Sequence, residues 1–162
     1  MQPESSHVVI GLGNEFRSDD GGGPTAARRV GRLCGRRVQV IAPLTDGAGL
    51  VMLWGEVELV ILIDSVKSGS PPGTVFRFEP LREEIPEEVF HPTTTHRFSV
   101  SQIIRLARVL GRLPKQLIVY GIEGVDFDYG TTMSPAVAAA AIEVADRIAA
   151  EIMQFSHETA AC

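Results

Sequence analysis

Cysteine is scarce. Cys34 sits in an apolar helical pattern and Cys162 is the last residue, and there is no third. Two cysteines so placed exclude a disulfide framework, and with no CxxC pair there is no structural zinc motif. Long hydrophobic runs are also missing, since no apolar stretch reaches the roughly 18 residues that a membrane span needs. The opening MQPESSHVVIGLG lacks the basic start, long apolar run and small-residue cleavage site of a secretory signal. A soluble, cytoplasmic protein is expected. Positive charge is in deficit as well: 15 Lys and Arg stand against 20 Asp and Glu, for a net charge of −5. Binding to nucleic acid needs clustered cations to neutralise phosphates, so that class is disfavoured. One basic run exists, Arg28, Arg29, Arg32, Arg36 and Arg37, and its first four members fall on one helical stripe. A solvated helix face is the plainer reading, and a dock for an acidic partner the other.

What remains is the composition of an ordinary globular chain, 162 residues with 44% hydrophobic and 22% charged. That length suits one domain with one core, expected over residues 1–155, with a frayed tail at 156–162. No repeat, linker or low-complexity tract divides it.

Strand signals alternate with helix signals. HVVIGL at 7–12 reads as a buried strand ended by glycine, and a helix follows over Thr25–Cys34, opened by Pro24. RVQVIA at 37–42 is a second strand ended by Pro43, and a short helix is expected over Leu50–Trp54. ELVILI at 58–63 is the most hydrophobic strand and delivers Asp64 at its carboxyl end. TVFRFE at 74–79 alternates like an edge strand. A long irregular segment, 81–97, precedes a helix over Ser101–Leu110. A strand at 116–121 comes next, then a long helix opened by Ser134-Pro135, with Val137, Ala141, Val144, Ile148, Ile152 and Phe155 on one face. This alternation predicts a three-layer α/β sandwich around a mostly parallel sheet. Ligands in such folds bind outside the carboxyl ends of the strands, where strand order reverses. The loops after the first three strands are therefore the places to expect chemistry.

The first of these loops has two glycines, Gly11 and Gly13, but Phe16 stands where a dinucleotide fingerprint needs its third, so a nucleotide module is a minor alternative. Asp19 and Asp20 precede the first helix. Either could cap its amides while the other projects into the crevice, and both could be caps. Asp64 at the sheet rim is costly to bury unless it is paired or bound to a cation. The plainer reading has it capping the next turn. His96 lies at the end of the long loop, with His91 as its rival, and His7 and His157 near the termini have weak claims. Two carboxylates and an imidazole at one sheet edge would suit a borderline divalent ion such as nickel or zinc, with room for water or substrate. There is no GxSxG elbow and no cysteine in a polar loop, so nucleophilic catalysis is disfavoured.

Taken in order, these stretches resemble the hydrogenase maturation protease family. VVIGLGNEFRSDDGGGP looks like its strand and first loop, GxGNxxxxDDGxGP. Thr45-Asp46-Gly47-Ala48-Gly49 is similar to its turn after strand two. LVILIDSVKSGSPPGTV looks like its third-strand segment, with Ser65 where alanine is usual. Thr95-His96 looks like its histidine loop, though Arg97-Phe98 follow where many members are small. YGIEGVDFDYGTTMSPAV looks like its closing segment, with Gly124 where proline is common. The resemblance covers about Val8 to Ile152. It implies a five-stranded sheet flanked by helices, usually in a monomer, and a nickel-binding triad of Asp20, Asp64 and His96, with Asp46 a further functional acid. It also implies a reaction: nickel-dependent removal of the C-terminal extension of a NiFe-hydrogenase large-subunit precursor, the nickel being carried by that precursor. A nickel-binding accessory protein that does not cut would need the same ligands.

Overall fold

The short apolar runs rich in valine and isoleucine become the strands of one sheet. They are β1 (His7–Leu12), β2 (Gln39–Leu44), β3 (Leu59–Val66), β4 (Val75–Phe78) and β5 (Gln116–Glu123). The computed structural model describes residues 5–44, 48–52, 54, 56–90 and 99–160. Across the sheet the order is β2-β1-β3-β5-β4. β1 is parallel to both β2 and β3, β3 is parallel to β5, and the edge strand β4 is antiparallel. Helices α1 (Gly22–Cys34), α2 (Val100–Val109) and α3 (Pro135–Ala160) complete the α/β fold that the alternating signals predict. No helix among the described residues is long and apolar enough to cross a membrane.

The period-two alternation of β3 shows how the layers form. Leu59, Ile61 and Ile63 join one core with Ala26, Ala27 and Val30 of α1 and Val137, Ala141, Val144 and Ile148 of α3. Val60, Leu62 and Val66 join the other, with Leu50 and Trp54 and with Val100, Ile103, Ile104 and Ala107 of α2. Both faces of the sheet are therefore buried, which is why its strands read as nearly continuous apolar runs. α2 begins with a reciprocal cap: the Gln102 amide donates to the Ser99 hydroxyl, and the Ser99 amide donates to the Gln102 side chain.

Several boundaries differ from the sequence reading. β2 runs through Pro43 to Leu44, and it can do so because it lies at the sheet edge, where a missing N–H costs no ladder bond. β3 continues past Ile63 to Val66, so Asp64 lies inside the strand, paired with Gly121 of β5. The stretch expected as a short helix over Leu50–Trp54 is a 3-10 turn at Ala48–Met52. The apolar spacing of α3 stops at Phe155, yet the helix continues to Ala160, and along it the Ser156 hydroxyl donates to the Ile152 carbonyl at 2.9 Å. α1 ends at Cys34 and turns at Gly35, which places Arg36 beyond the helix and breaks the basic stripe. Of that stripe, Arg28 pairs with Glu15 and Arg29 with Asp146.

Candidate active site

The chain leaves β1 for β2 on one side and later returns to β3 on the other, so strand order reverses between β1 and β3. The carboxyl ends of these two strands flank the crevice in which such folds bind ligands. α1 enters it as a wedge. A Cβ on Gly23 would lie 2.5 Å from both the Leu12 and the Ile63 carbonyl oxygens, so only glycine lets the helix start between the two strand ends. Gly13 adopts φ +141, and a Cβ there would lie 2.0 Å from the Asp20 carbonyl oxygen. The glycines that suggested room for a nucleotide thus accommodate the chain itself.

Asp20 sits in a 3-10 turn, Ser18–Gly21, that packs against β3. It is 1% exposed, and the Asn14 amide donates to its Oδ2 at 2.7 Å. Asp64 is half-buried. It alternates with Leu62 and Val66, which puts it on the α2 face of the sheet. Ser65 faces the other way, and its hydroxyl donates to the Asp19 carbonyl at 2.6 Å. That bond joins the residue before Asp20 to the residue after Asp64, and so brings the two predicted carboxylates to one strand edge.

Asp46 and His96, and the rival His91, lie outside the described residues. On either side of residues 91–98, Phe90 and Val100 are packed on the α2 face, the side on which Asp64 lies. Among the described residues no group of three or more His, Cys, Asp or Glu is placed to hold a metal ion. The two described acids are nonetheless of the right type. A carboxylate as buried as Asp20 is costly to keep charged without donors or a cation, and hard oxygen donors suit a divalent ion.

Asp19 behaves differently from either capping role. Neither the 3-10 turn nor α1 has a side-chain cap at its start. Instead the Asp19 carboxylate accepts from the amides of Ser134 at 2.7 Å, Val125 at 2.9 Å and Asp126 at 3.0 Å, and from the Ser134 hydroxyl at 2.9 Å. Burial would push this carboxyl up; the Asp126, Val125 and Ser134 donors more than reverse that and hold it below the usual carboxylate range. Its own amide donates to the Asp126 carbonyl. The loop from β5 to α3 is further tied to the first loop by Ser18 amide to Gly130 carbonyl, Gly130 amide to Phe16 carbonyl, Ser18 hydroxyl to Asp128 carbonyl, and Arg17 to Phe127 carbonyl. Gly124 belongs to the same knot, because a Cβ there would lie 2.7 Å from the Phe127 ring and 3.0 Å from the Asp19 Cβ.

The residues that sequence reasoning missed are therefore Asp19 as a hub, Ser65 as a strap and 124–134 as a wall of the crevice. The local cues were Gly124, Gly130 and Ser134-Pro135, but nothing in the sequence pairs Asp19 with a residue 115 positions away.

Residues 30–151 match the family profile described as hydrogenase maturation protease, HycI. The chain is 29% identical over 141 residues to the hydrogenase expression/formation protein HupD of Thiocapsa roseopersicina, an alignment covering 85% of this chain and 63% of the relative. It thus spans less than two thirds of that relative's length. In fold it is similar to the hydrogenase maturating endopeptidase HybD from E. coli, with a TM-score of 0.73 at 21% identity over 95% of this chain and 93% of the other. It is similar also to the NiFe hydrogenase maturation protease HycI from Thermococcus kodakarensis, with a TM-score of 0.67 at 20% identity over 91% and 92% of the two chains.

Proposed function

Since the chain belongs to the hydrogenase maturation protease family, we propose that it is an endopeptidase that removes the C-terminal extension of a NiFe-hydrogenase large-subunit precursor after nickel insertion. The observation that carries this reading is the packing of the 3-10 turn that holds Asp20 on β3, the strand that carries Asp64, at the switch point. Nickel enters as part of the substrate, held by the precursor, and Asp20, Asp64 and His96 are its receiving ligands. Once there it supplies a Lewis acid able to polarise the scissile carbonyl or a water. The chain's own contribution is orientation. The Asn14 amide fixes the Asp20 carboxylate, and β3 fixes Asp64 through its pairing with β5. Asp46 is assigned as a further acid of the site.

A precursor without nickel offers these ligands nothing to bind, so it docks poorly and escapes cleavage. A macromolecular substrate also accords with the rim. Phe16, Val125 and Tyr129 are large side chains that stay exposed on the knotted loops, available to a protein substrate. We place the reaction in the cytoplasm, performed by a monomer.

The test is to incubate the purified protein with large-subunit precursor, with and without nickel, and to read the precursor's intact mass. Loss of a C-terminal peptide from the loaded precursor alone, abolished by Asp64→Asn, is the expected result. Cleavage without nickel would discard the metal checkpoint. Binding without any cleavage would replace the protease by a nickel-dependent accessory protein.

A further inference from the structure

The knotted loops at the crevice hold one charge that the molecule leaves unmatched. The Arg17 side chain is half-buried and fixed at two points. Its Nε donates to the Phe127 carbonyl at 3.2 Å, and its guanidinium carbon lies 4.6 Å from the centre of the Tyr129 ring. The backbone beneath is fixed as well, because Arg17 pairs with Gly130 in a parallel bridge. Among the described residues no carboxylate lies within ion-pair distance of the guanidinium. Its two terminal nitrogens likewise meet no protein acceptor there. Other described cations without an ion pair, such as Arg32 and Arg112, are exposed and keep their water.

A half-buried cation held still without a counter-ion is suited to an incoming anion. Part of its hydration is already lost, and the entropy of ordering it has been met in the free protein. The fork of terminal nitrogens matches a carboxylate, which it can bind through two parallel hydrogen bonds. A side chain is the better source of that carboxylate. A chain terminus is captured by a nest of free backbone amides, whereas here the amides of Phe16, Arg17, Ser18 and Gly130 are all spent on Asn14, Gly130 and Phe16. Phe16 and Tyr129, 67% and 81% exposed, adjoin the cation and would be covered together with it by a protein surface. On the reading of the chain as a protease that acts on a protein precursor, we propose that Arg17 is a specificity-determining residue that binds an aspartate or glutamate side chain of that precursor.

In processing of nickel-loaded precursor, Arg17→Gln is expected to raise KM about ten- to hundredfold with kcat at the parental value, as follows from loss of a charge-assisted hydrogen bond. Added salt should raise the parental KM steeply and the variant's little. Arg17→Lys keeps the charge without the fork and should fall between the two. Arg112→Gln removes the same charge between α2 and β5, at the opposite end of the sheet, and should keep the parental KM. A precursor whose C-terminal carboxylate is amidated should keep it too. The same comparison is read as the precursor's Kd in an Asp64→Asn background, so that failure to cleave does not conceal it. Parental KM and Kd in Arg17→Gln would overturn the proposal and leave the protease reading intact. An equal rise in KM on amidation would move the contact to the chain terminus and overturn the side-chain assignment. Joint loss of kcat and KM, with hydrogen exchange accelerated across 124–134, would make Arg17 a brace of the loops and overturn it too. Weakened binding by Arg17→Gln, in a parent that never cleaves, would uphold Arg17 and sink the protease instead.

Discussion

Two carboxylates fasten helix α3 to the rest of the molecule, and they do so in opposite ways. At its start, Asp19 takes three backbone amides and one hydroxyl, all from residues 125–134. Near its end, Glu151 takes only side chains: the Arg77 guanidinium at 2.9 and 3.2 Å, and the Tyr120 phenol. Arg77 lies in β4 and Tyr120 in β5, so Glu151 ties the helix to the sheet's far edge, and Arg147 completes the cluster with its guanidinium 5.6 Å from the Tyr120 ring. Amide donors define where a backbone goes, whereas side-chain donors leave the backbone alone. The first arrangement shapes a crevice; the second holds a layer in place.

Gly23→Ala acts on the crevice side and should be the most severe, because the new methyl meets two backbone carbonyls that cannot rotate away. A loss of about 3 kcal/mol in denaturant unfolding is expected, at the upper end of ordinary overpacking, together with loss of processing. A variant of parental stability would mean that the wedge is looser than described. Asp19→Ala should cost about 2–3 kcal/mol, since it strands several donors at once, and should also end processing. Glu151→Ala is expected to cost about 2 kcal/mol but to leave processing per folded molecule at the parental rate. Equal loss of activity in both would erase the distinction between the two ends of α3.

Smaller effects sharpen the same contrast. Tyr120→Phe leaves Glu151 its Arg77 partner and should cost about 1 kcal/mol. Burial first, and the bond to Glu151 second, push the Tyr120 phenol up to about 12 from 10.0. Folding therefore favours the neutral phenol. The stability it contributes is fully present below pH about 10 and is lost as pH rises towards 12. Unfolding curves of parent and Tyr120→Phe should converge over that window, and a constant gap across it would show that the phenol does not titrate there. Least of all, Arg29→Ala removes a pair to Asp146 whose side chains are 35% and 53% exposed, and should change stability by under about 0.5 kcal/mol.

The sequence discloses the layers well because burial leaves a periodic trace. Valine and isoleucine in β1, β3 and β5, and the apolar face of α3, are visible without coordinates. Asp64 is visible for a related reason, as a charge placed after a run of hydrophobic residues. Pro43 misled because edge position, which makes proline harmless, is a property of the sheet and not of the strand. Asp19 stayed hidden for a deeper reason. Three of its four donors are main-chain amides, which every residue except proline possesses, so no residue type announces them. Ser65 was hidden by its small size, and its bond shows only once the carbonyl facing it is known.

The knot around Asp19 also imposes an order on assembly. Asp19 leaves the ribosome well before Ser134 does, and the contact between them spans 115 residues. Contacts so distant in sequence form late, after the closure entropy of the intervening chain has been overcome. A growing chain therefore exposes the turn of Asp19 and Asp20 long before the donors that hold it arrive. The last loop and the start of α3 are thus the late half of the knot, and the turn is fixed only once they are in place.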